Sequence, residues 1–306
     1  MVDALQAWLS AKLGHPAHVS AMHRIATGHS RAMWYVELDD GQRLVVRVEQ
    51  GGVFGTSSAA EFELMRVAGR LGCPVATVRW LEPTGEVLGQ PFFVMDFVES
   101  ASAKREDRSL GDGVAVDFIR RLHDLHTVSW GTELPAPTDP TTVTHEQIER
   151  WTGVYHSASM LAAPLLDEAA AWLHRHAPPV AQVSIVHGDP GPGNFLHDGS
   201  TVIALTDWEF AHIGDPMEDW VYLISMRGAR TMPADRWRAM IIDAAGVEVT
   251  DWHMRYWGAF NFFKGACANL TCLSVFAGRN PAPNMAIIGS ALQQTFMRDM
   301  AAMVAG

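Results

Sequence analysis

Asp189, Asn194 and Asp207 are the residues of this chain whose types and spacing can do chemistry. The first two lie in Val186-His187-Gly188-Asp189-Pro190-Gly191-Pro192-Gly193-Asn194-Phe195-Leu196. The third follows a turn at Asp198-Gly199, in Leu205-Thr206-Asp207-Trp208-Glu209. Moving a phosphoryl group from a nucleotide to a hydroxyl needs such a set. One carboxylate accepts the hydroxyl proton, and an amide oxygen with a second carboxylate holds metal on the phosphates. On this reading Asp189 is the base, and Asn194 and Asp207 offer hard oxygen donors that suit Mg²⁺. Each residue alone has a plainer reading: an acid in a Gly-Pro loop, a turn residue after Gly193, a strand-end cap. Their order along the chain separates the two. The apolar run Val202-Ile203-Ala204-Leu205 delivers Asp207 from a buried strand.

The elements that must position these residues have ample material. The chain has 306 residues, 48% of them hydrophobic, enough for a substantial core and for more than one domain. A net charge of -11 argues against a nucleic-acid-binding surface. Cys73, Cys267 and Cys272 have no Cys-x-x-Cys spacing and read as small buried residues of a reducing compartment. The N-terminus has an early acid and no long apolar run, unlike a signal peptide. No apolar stretch reaches membrane-spanning length. A cytoplasmic protein with neither membrane nor nucleic-acid partners is expected.

Residues 3–13 read as an amphipathic helix. Trp34 to Leu38 and Arg43 to Val48 flank Asp39-Asp40-Gly41-Gln42, a hairpin signal with Asp-Gly in the turn. Residues 58–71 read as a helix with Ala60, Leu64, Val67, Ala68 and Leu71 on one face, stopped by Gly72 and Pro74. Val75 to Leu81 and Pro91 to Val98 are two more strands. Glu99-Ser100-Ala101-Ser102-Ala103 is a small polar linker. Helical patterns follow at 112–127, 144–161 and 163–176, and resume from Glu218 to the end. Trp252, Tyr256, Phe260 and Phe263 fit one helical face, with Trp257 beside them. Core packing and an acceptor-pocket wall are both open to this stripe.

The ordered set His187-Gly188-Asp189-x-x-x-x-Asn194, Asp207-Trp208-Glu209 and Gly214-Asp215-Pro216-Met217-Glu218-Asp219 resembles the aminoglycoside phosphotransferase and choline kinase family. These are small-molecule kinases with the protein-kinase-like fold, and the resemblance runs from about Ile25 to Leu223. The wording is closest to the bacterial branch whose relatives are also found fused to acyl-CoA dehydrogenases. The resemblance implies an α+β bilobal fold, with a β-rich nucleotide-binding lobe at 1–98 and a mainly helical catalytic and acceptor-binding lobe at 99–306. It implies an ATP- and Mg²⁺-dependent kinase acting on a hydroxyl of a small molecule. The alternative is a nucleotide-binding pseudokinase or scaffold. Thr27, Gly28 and Ser30 would form the phosphate-covering turn. Arg47 stands where many relatives have Lys, and can still clamp phosphates. Glu61 is its implied ion-pair partner, with Glu63 as competitor. The backbone of Asp96 and Val98 would meet adenine, with Met95 behind it. His187 and Leu125-His126 are implied to be structural, and His123 with His126 is a far weaker metal pair. Asp219 would hold the catalytic loop from below, and helix N-capping is the plainer reading of both Asp215 and Asp219. Glu209 could reach the metal site or cap locally.

Overall fold

Leu38 donates its N–H to Gln42 O at 2.9 Å across the Asp39–Gln42 turn. Gly41 sits there at φ 83°, the left-handed region that an L side chain rarely adopts. This turn joins β2 (Arg31–Leu38) to β3 (Arg43–Glu49) in the expected hairpin, with Tyr35 opposite Val45 and Met33 opposite Arg47. The computed structural model describes residues 1–25, 31–50, 53–100, 110–135, 137, 139–158, 162–278 and 283–305. The five-stranded antiparallel sheet is completed by β1 (Val19–Ile25), β4 (Val78–Glu82) and β5 (Phe92–Asp96), in the order β1-β2-β3-β5-β4.

Strand alternation decides which side of the sheet does chemistry. Leu44, Val46, Phe92 and Val94 face one side, where α1 (Val2–Leu13) covers them with Leu5 and Leu9. The intervening Phe93 joins the main core on the other side, with Met95 packed against that core. Arg47 pairs in register with Phe93, so the alternation that buries the small core turns Arg47 toward the main one. There lies α2 (Ser58–Arg70), capped by the Ser57 side chain, which accepts from Ala59 N.

The rest of the chain is mainly helical. In α3 (Asp112–Thr127), Val114, Phe118, Ile119, Leu122 and Leu125 are buried at helical spacing. It is followed by α4 (Val143–Ala158) and α5 (Pro164–His176). Two short antiparallel ribbons then interrupt. β6 (Ser184–Val186) pairs with β9 (His212–Gly214), and β7 (Phe195–His197) with β8 (Val202–Leu205). A parallel bridge from Val75 to Leu205 ties the second ribbon to the chain just before β4. The linker is described only in part: Ala101, Ser102 and Ala103 lie outside the described residues, while Ser100 donates to His197 O at 2.9 Å.

After α6 (Met217–Tyr222), a π-helical turn (Leu223–Arg227) and α7 (Ala234–Ala245) comes α8 (Asp251–Gly278). It is buried on most of its circumference, so it has no single apolar stripe. The chain closes with α9 (Pro283–Ile287), a second π-helical turn (Ile288–Leu292) and α10 (Gln293–Ala305), which packs on α8. The aromatic stripe falls in α8. Tyr256, Trp257, Phe260 and Phe263 are at most 2% exposed, and Tyr256 stacks on Trp172 at 6.0 Å and donates to Leu173 O. This corrects the acceptor-wall reading of Tyr256, Trp257 and Phe260: their rings are buried in the main core. Trp252 alone of the stripe is open.

Candidate active site

The segment that carries Asp189 is a loop gripped by its backbone. His187 N and Gly188 N donate to the two oxygens of Asp219, each at 2.8 Å. His126 Nε2 meets Asp219 Oδ2 at 2.8 Å from the other side. Burial would push the Asp219 carboxyl up, but the His126 hydrogen bond and charge, with the loop amides, hold it below the usual range. Gly188 stands at φ 82°, and a Cβ there would lie 2.4 Å from Phe210 O, so only glycine fits. Below the loop, Lys264 of α8 donates from Nζ to Gly188 O and to Glu218 Oε1, both at 2.6 Å. His187 is buried, and burial lowers its pKa, so the ring is neutral near pH 7. Its Nε2 lies 3.0 Å from Thr206 O, and Asp189 N approaches its Nδ1 at 3.4 Å. Together these assign the proton to Nε2. The structural roles expected of His187, His126 and Asp219 are those the contacts describe.

Asp189 and Asn194 lie side by side, 4% and 5% exposed. Asn194 Nδ2 donates to Asp189 O at 2.9 Å and to Asp189 Oδ2 at 2.8 Å. The amide is thereby oriented, with its oxygen on the opposite end. The β7–β8 register sets Phe195 opposite Leu205, and Thr206 N donates to Asn194 O. Asn194 and Asp207 therefore emerge at the same end of one ribbon. Asp207 is left-handed at φ 67°, ψ 59°, a conformation tolerated by Asp but costly for most residues.

Among the described residues no cluster of three or more His, Cys, Asp or Glu could cage a metal. A Mg²⁺ carried on nucleotide phosphates needs only one or two protein oxygens. The donor set fits that demand: the Asn194 amide oxygen, and an Asp207 carboxylate whose side chain is about 30% exposed. Burial raises the Asp207 pKa, but Arg47 foremost holds the carboxyl below its ordinary value, and so ionised.

The sheet supplies the cations. Arg47 Nε lies 2.7 Å from Glu61 Oε1, and Arg47 Nη2 donates to Asp207 Oδ1 at 2.9 Å. Glu61 is thus the partner of Arg47. The competing Glu63 instead pairs with Arg66. Burial raises the Glu61 pKa, against the pull of Arg47 and Arg31. Arg31, buried at the start of β2, lies 3.6 Å from Glu61 and 4.0 Å from Glu209 and donates to Thr56 at 2.7 Å. Glu209 accordingly belongs to the charge network Glu209–Arg31–Glu61–Arg47–Asp207. Asp215 accepts from Met217 N at 2.8 Å at the start of α6, the local contact of the plainer reading.

Three of the sequence candidates, Thr27, Gly28 and Ser30, lie outside the described residues. Met95 and Val98 are half-buried against the main core. Asp96 spends its N–H on Thr77 O and its carboxylate on Arg79. Three residues escaped the sequence reading: Arg31, Lys264 and Arg227. Arg227 grips Asp189 with two nitrogens, Nε to Oδ1 at 2.6 Å and Nη2 to Oδ2. Arg227 and Lys264 sit in helical segments far from the motif, and only their charge within apolar runs marked them.

Comparison with known proteins identifies the family. The model of the phosphotransferase enzyme family matches residues 21–257. A mouse protein, acyl-CoA dehydrogenase family member 10, is 28% identical over 232 residues, which is 72% of this chain and 22% of that one. The chain thus spans about a quarter of the length of the curated relatives it matches. Among solved structures, a protein of Ralstonia eutropha JMP134 assigned to the aminoglycoside phosphotransferases superposes with a TM-score of 0.72 at 22% identity, covering 100% of this chain and 98% of the other. A thermostable mutant of the aminoglycoside phosphotransferase APH(4)-Ia, in complex with ADP and hygromycin B, superposes at 0.68 with 14% identity and 99% coverage of each. The chain belongs to the phosphotransferase enzyme family, the small-molecule kinases built on the protein-kinase-like bilobal fold.

Proposed function

We propose that the protein is an ATP- and Mg²⁺-dependent O-phosphotransferase that moves the γ-phosphoryl group to a hydroxyl of a small molecule. The observation that carries this reading is two contact sets, Asp189–Asn194 and Asp207–Arg47–Glu61, joined at one ribbon end where Thr206 N donates to Asn194 O. The nucleotide would lie between residues 1–98 and 99–306, its adenine against the Asp96 carbonyl and Val98 N–H with Met95 behind. The Thr27–Ser30 turn would cover the phosphates. Asn194 and Asp207 would hold Mg²⁺, which offsets phosphate charge when bound. Arg47, fixed by Glu61, steadies the phosphates. Asp189 orients the acceptor hydroxyl and receives its proton. The setting expected for ATP chemistry is the cytoplasm, and among the described residues no helix is long and apolar enough to cross a membrane.

One observation favours the alternative, a nucleotide-binding protein without efficient turnover: Arg227 and Asn194 together occupy both oxygens of Asp189. A coupled ADP-release assay over alcohols, sugars, amino alcohols, hydroxy acids and antibiotics decides between them. The kinase reading expects Mg²⁺-dependent ADP release stimulated by one acceptor class and abolished in Asp189→Asn. Tight nucleotide binding with no acceptor raising turnover above the slow background would overturn it in favour of the scaffold.

A further inference from the structure

Arg227 raises a chemical problem for the base it holds. Its Nε and Nη2 take one oxygen each of Asp189, and Asn194 Nδ2 shares the second. With the Tyr222 hydroxyl also bonded to Asp189, these donors take about all four acceptor sites of the carboxylate, so receiving a hydroxyl proton requires the guanidinium to release at least one. The surroundings are built for such a movement. Arg227 ends the π-helical turn Leu223–Arg227, a distortion that recurs at functional sites. Its side chain is 32% exposed, whereas that of Asp189 is 6% exposed. Room for the arm comes from the catalytic loop. Gly191 stands at φ 138°, and a Cβ there would lie 2.7 Å from Arg227 Cβ, while a Cβ on Gly193 would meet Arg227 Nη1 at 3.5 Å. Arg227 also acts electrostatically on Asp207 as well as on Asp189. Its charge therefore bears on both carboxylates that flank a transferring phosphoryl group.

We propose that Arg227 is a phosphoryl-contact residue: it neutralises Asp189 in the free enzyme and turns part of its guanidinium onto the γ-phosphoryl oxygens in the loaded one. This rests on the phosphotransferase reading above. In the step, the acceptor oxygen bonds to the γ-phosphorus, and the bond from that phosphorus to the bridging oxygen breaks with its electron pair staying on ADP. The hydroxyl proton passes to the Asp189 oxygen that Arg227 has vacated. Arg227 stays a cation throughout and stabilises charge on the equatorial oxygens, the work that arginine does in other phosphoryl transfers. Its planar fork suits the exchange of one oxygen pair for another.

The test needs no acceptor. Binding of Mg·ADP, with and without aluminium fluoride as a mimic of the transferring phosphoryl group, is measured by calorimetry for wild type, R227M, R227K and D189N. Melting temperatures confirm folding, and R227K stands in if R227M does not fold. Wild type is expected to bind the fluoroaluminate complex at least ~10-fold more tightly than Mg·ADP, as befits a donor aimed at transition-state charge. R227M should keep Mg·ADP affinity and lose that gain, and R227K should keep part of it. D189N, whose guanidinium is freed, should retain it. If R227M (or, in its place, R227K) shows the wild-type gain, or if D189N loses it as fully as R227M, Arg227 acts only through Asp189 and the proposal is overturned. A wild type that binds no Mg·ADP removes the nucleotide reading itself, and the proposal with it.

Discussion

Replacing Lys264 by Met tests whether the catalytic loop hangs on a buried charge. Lys264 and Glu218 are 3% and 1% exposed, and Nζ makes two bonds of 2.6 Å, to Glu218 Oε1 and Gly188 O. Burial raises the Glu218 pKa, but Lys264 and His212 together hold the carboxyl below its ordinary value. Methionine fills the same space, so packing changes little and the electrostatic loss dominates. Removing one member of a buried pair strands the other and costs about 3–5 kcal/mol. The lost bond to Gly188 O lies within that range, since a hydrogen bond to a charged group contributes about 1.5–3 kcal/mol. His212 Nε2, 3.3 Å from Glu218 Oε2, supplies some compensation and favours the lower end. For a chain of this size that is a fall in melting temperature of roughly 6–10 °C. The assay is urea unfolding of wild type, Lys264→Met, Glu218→Gln and the double variant, with ADP release measured in parallel. The double variant no longer carries the stranded carboxylate and should recover about half of the loss. Its kcat should stay low, because Gly188 O still lacks its donor. A Lys264→Met protein within about 1 kcal/mol of wild type would refute the reasoning. So would a double variant less stable than wild type by the full sum of the two single costs.

Other outcomes follow from the same geometry. Asp189→Asn should keep nucleotide binding and lower phosphoryl transfer by at least ~10², the loss typical of a missing general base; turnover near wild type on the acceptor would remove the assignment. Asp207→Ala should weaken Mg²⁺-nucleotide binding far more than metal-free nucleotide binding, as a hard-cation ligand must; equal losses in calorimetry with and without Mg²⁺ would contradict it. Asp215 has its pKa raised by burial from 3.8 to about 6. A raised folded pKa means stability that is fully present below about pH 4 and lost as pH climbs through about 6. The ceiling is about 3 kcal/mol, reduced to about 1 kcal/mol by partial solvent exposure. Asp215→Asn should therefore melt above wild type at pH 7 and level with it at pH 4, and a difference independent of pH would rule out this cause.

Much of this arrangement was legible in the chain because it is local. The Asp40-Gly41 turn needs only its own residues, and α2, α3 and α5 fall within a residue of the apolar periodicity that announces them. The motif spacing brought Asn194 to Asp189 because both lie in one loop, and Glu61 met Arg47 as the resemblance implied. What stayed hidden are contacts between distant segments. Arg227 lies 38 residues from Asp189, and Lys264 lies 76 from Gly188. Nothing in Ile224-Ser225-Met226-Arg227-Gly228, or in the apolar run around Lys264, says which carboxylate or carbonyl the cation will meet. The α8 aromatics were ambiguous for a related reason. A helix buried on most sides carries no polar face from which to tell a core residue from a pocket wall.

The grip on the catalytic loop has a consequence for how such an enzyme can change. Asp219 holds the N–H groups of His187 and Gly188, and Lys264 holds the carbonyl of Gly188. The atoms held are all backbone, so with Asp219 and Lys264 kept the grip does not depend on the loop's own side chains. On the proposed reading, the loop that carries Asp189 is thus held by a frame separate from the side chains around an acceptor. If the kinase proposal holds, a lineage could exchange one hydroxyl compound for another by remodelling the walls of the site while the loop at its floor is inherited unchanged.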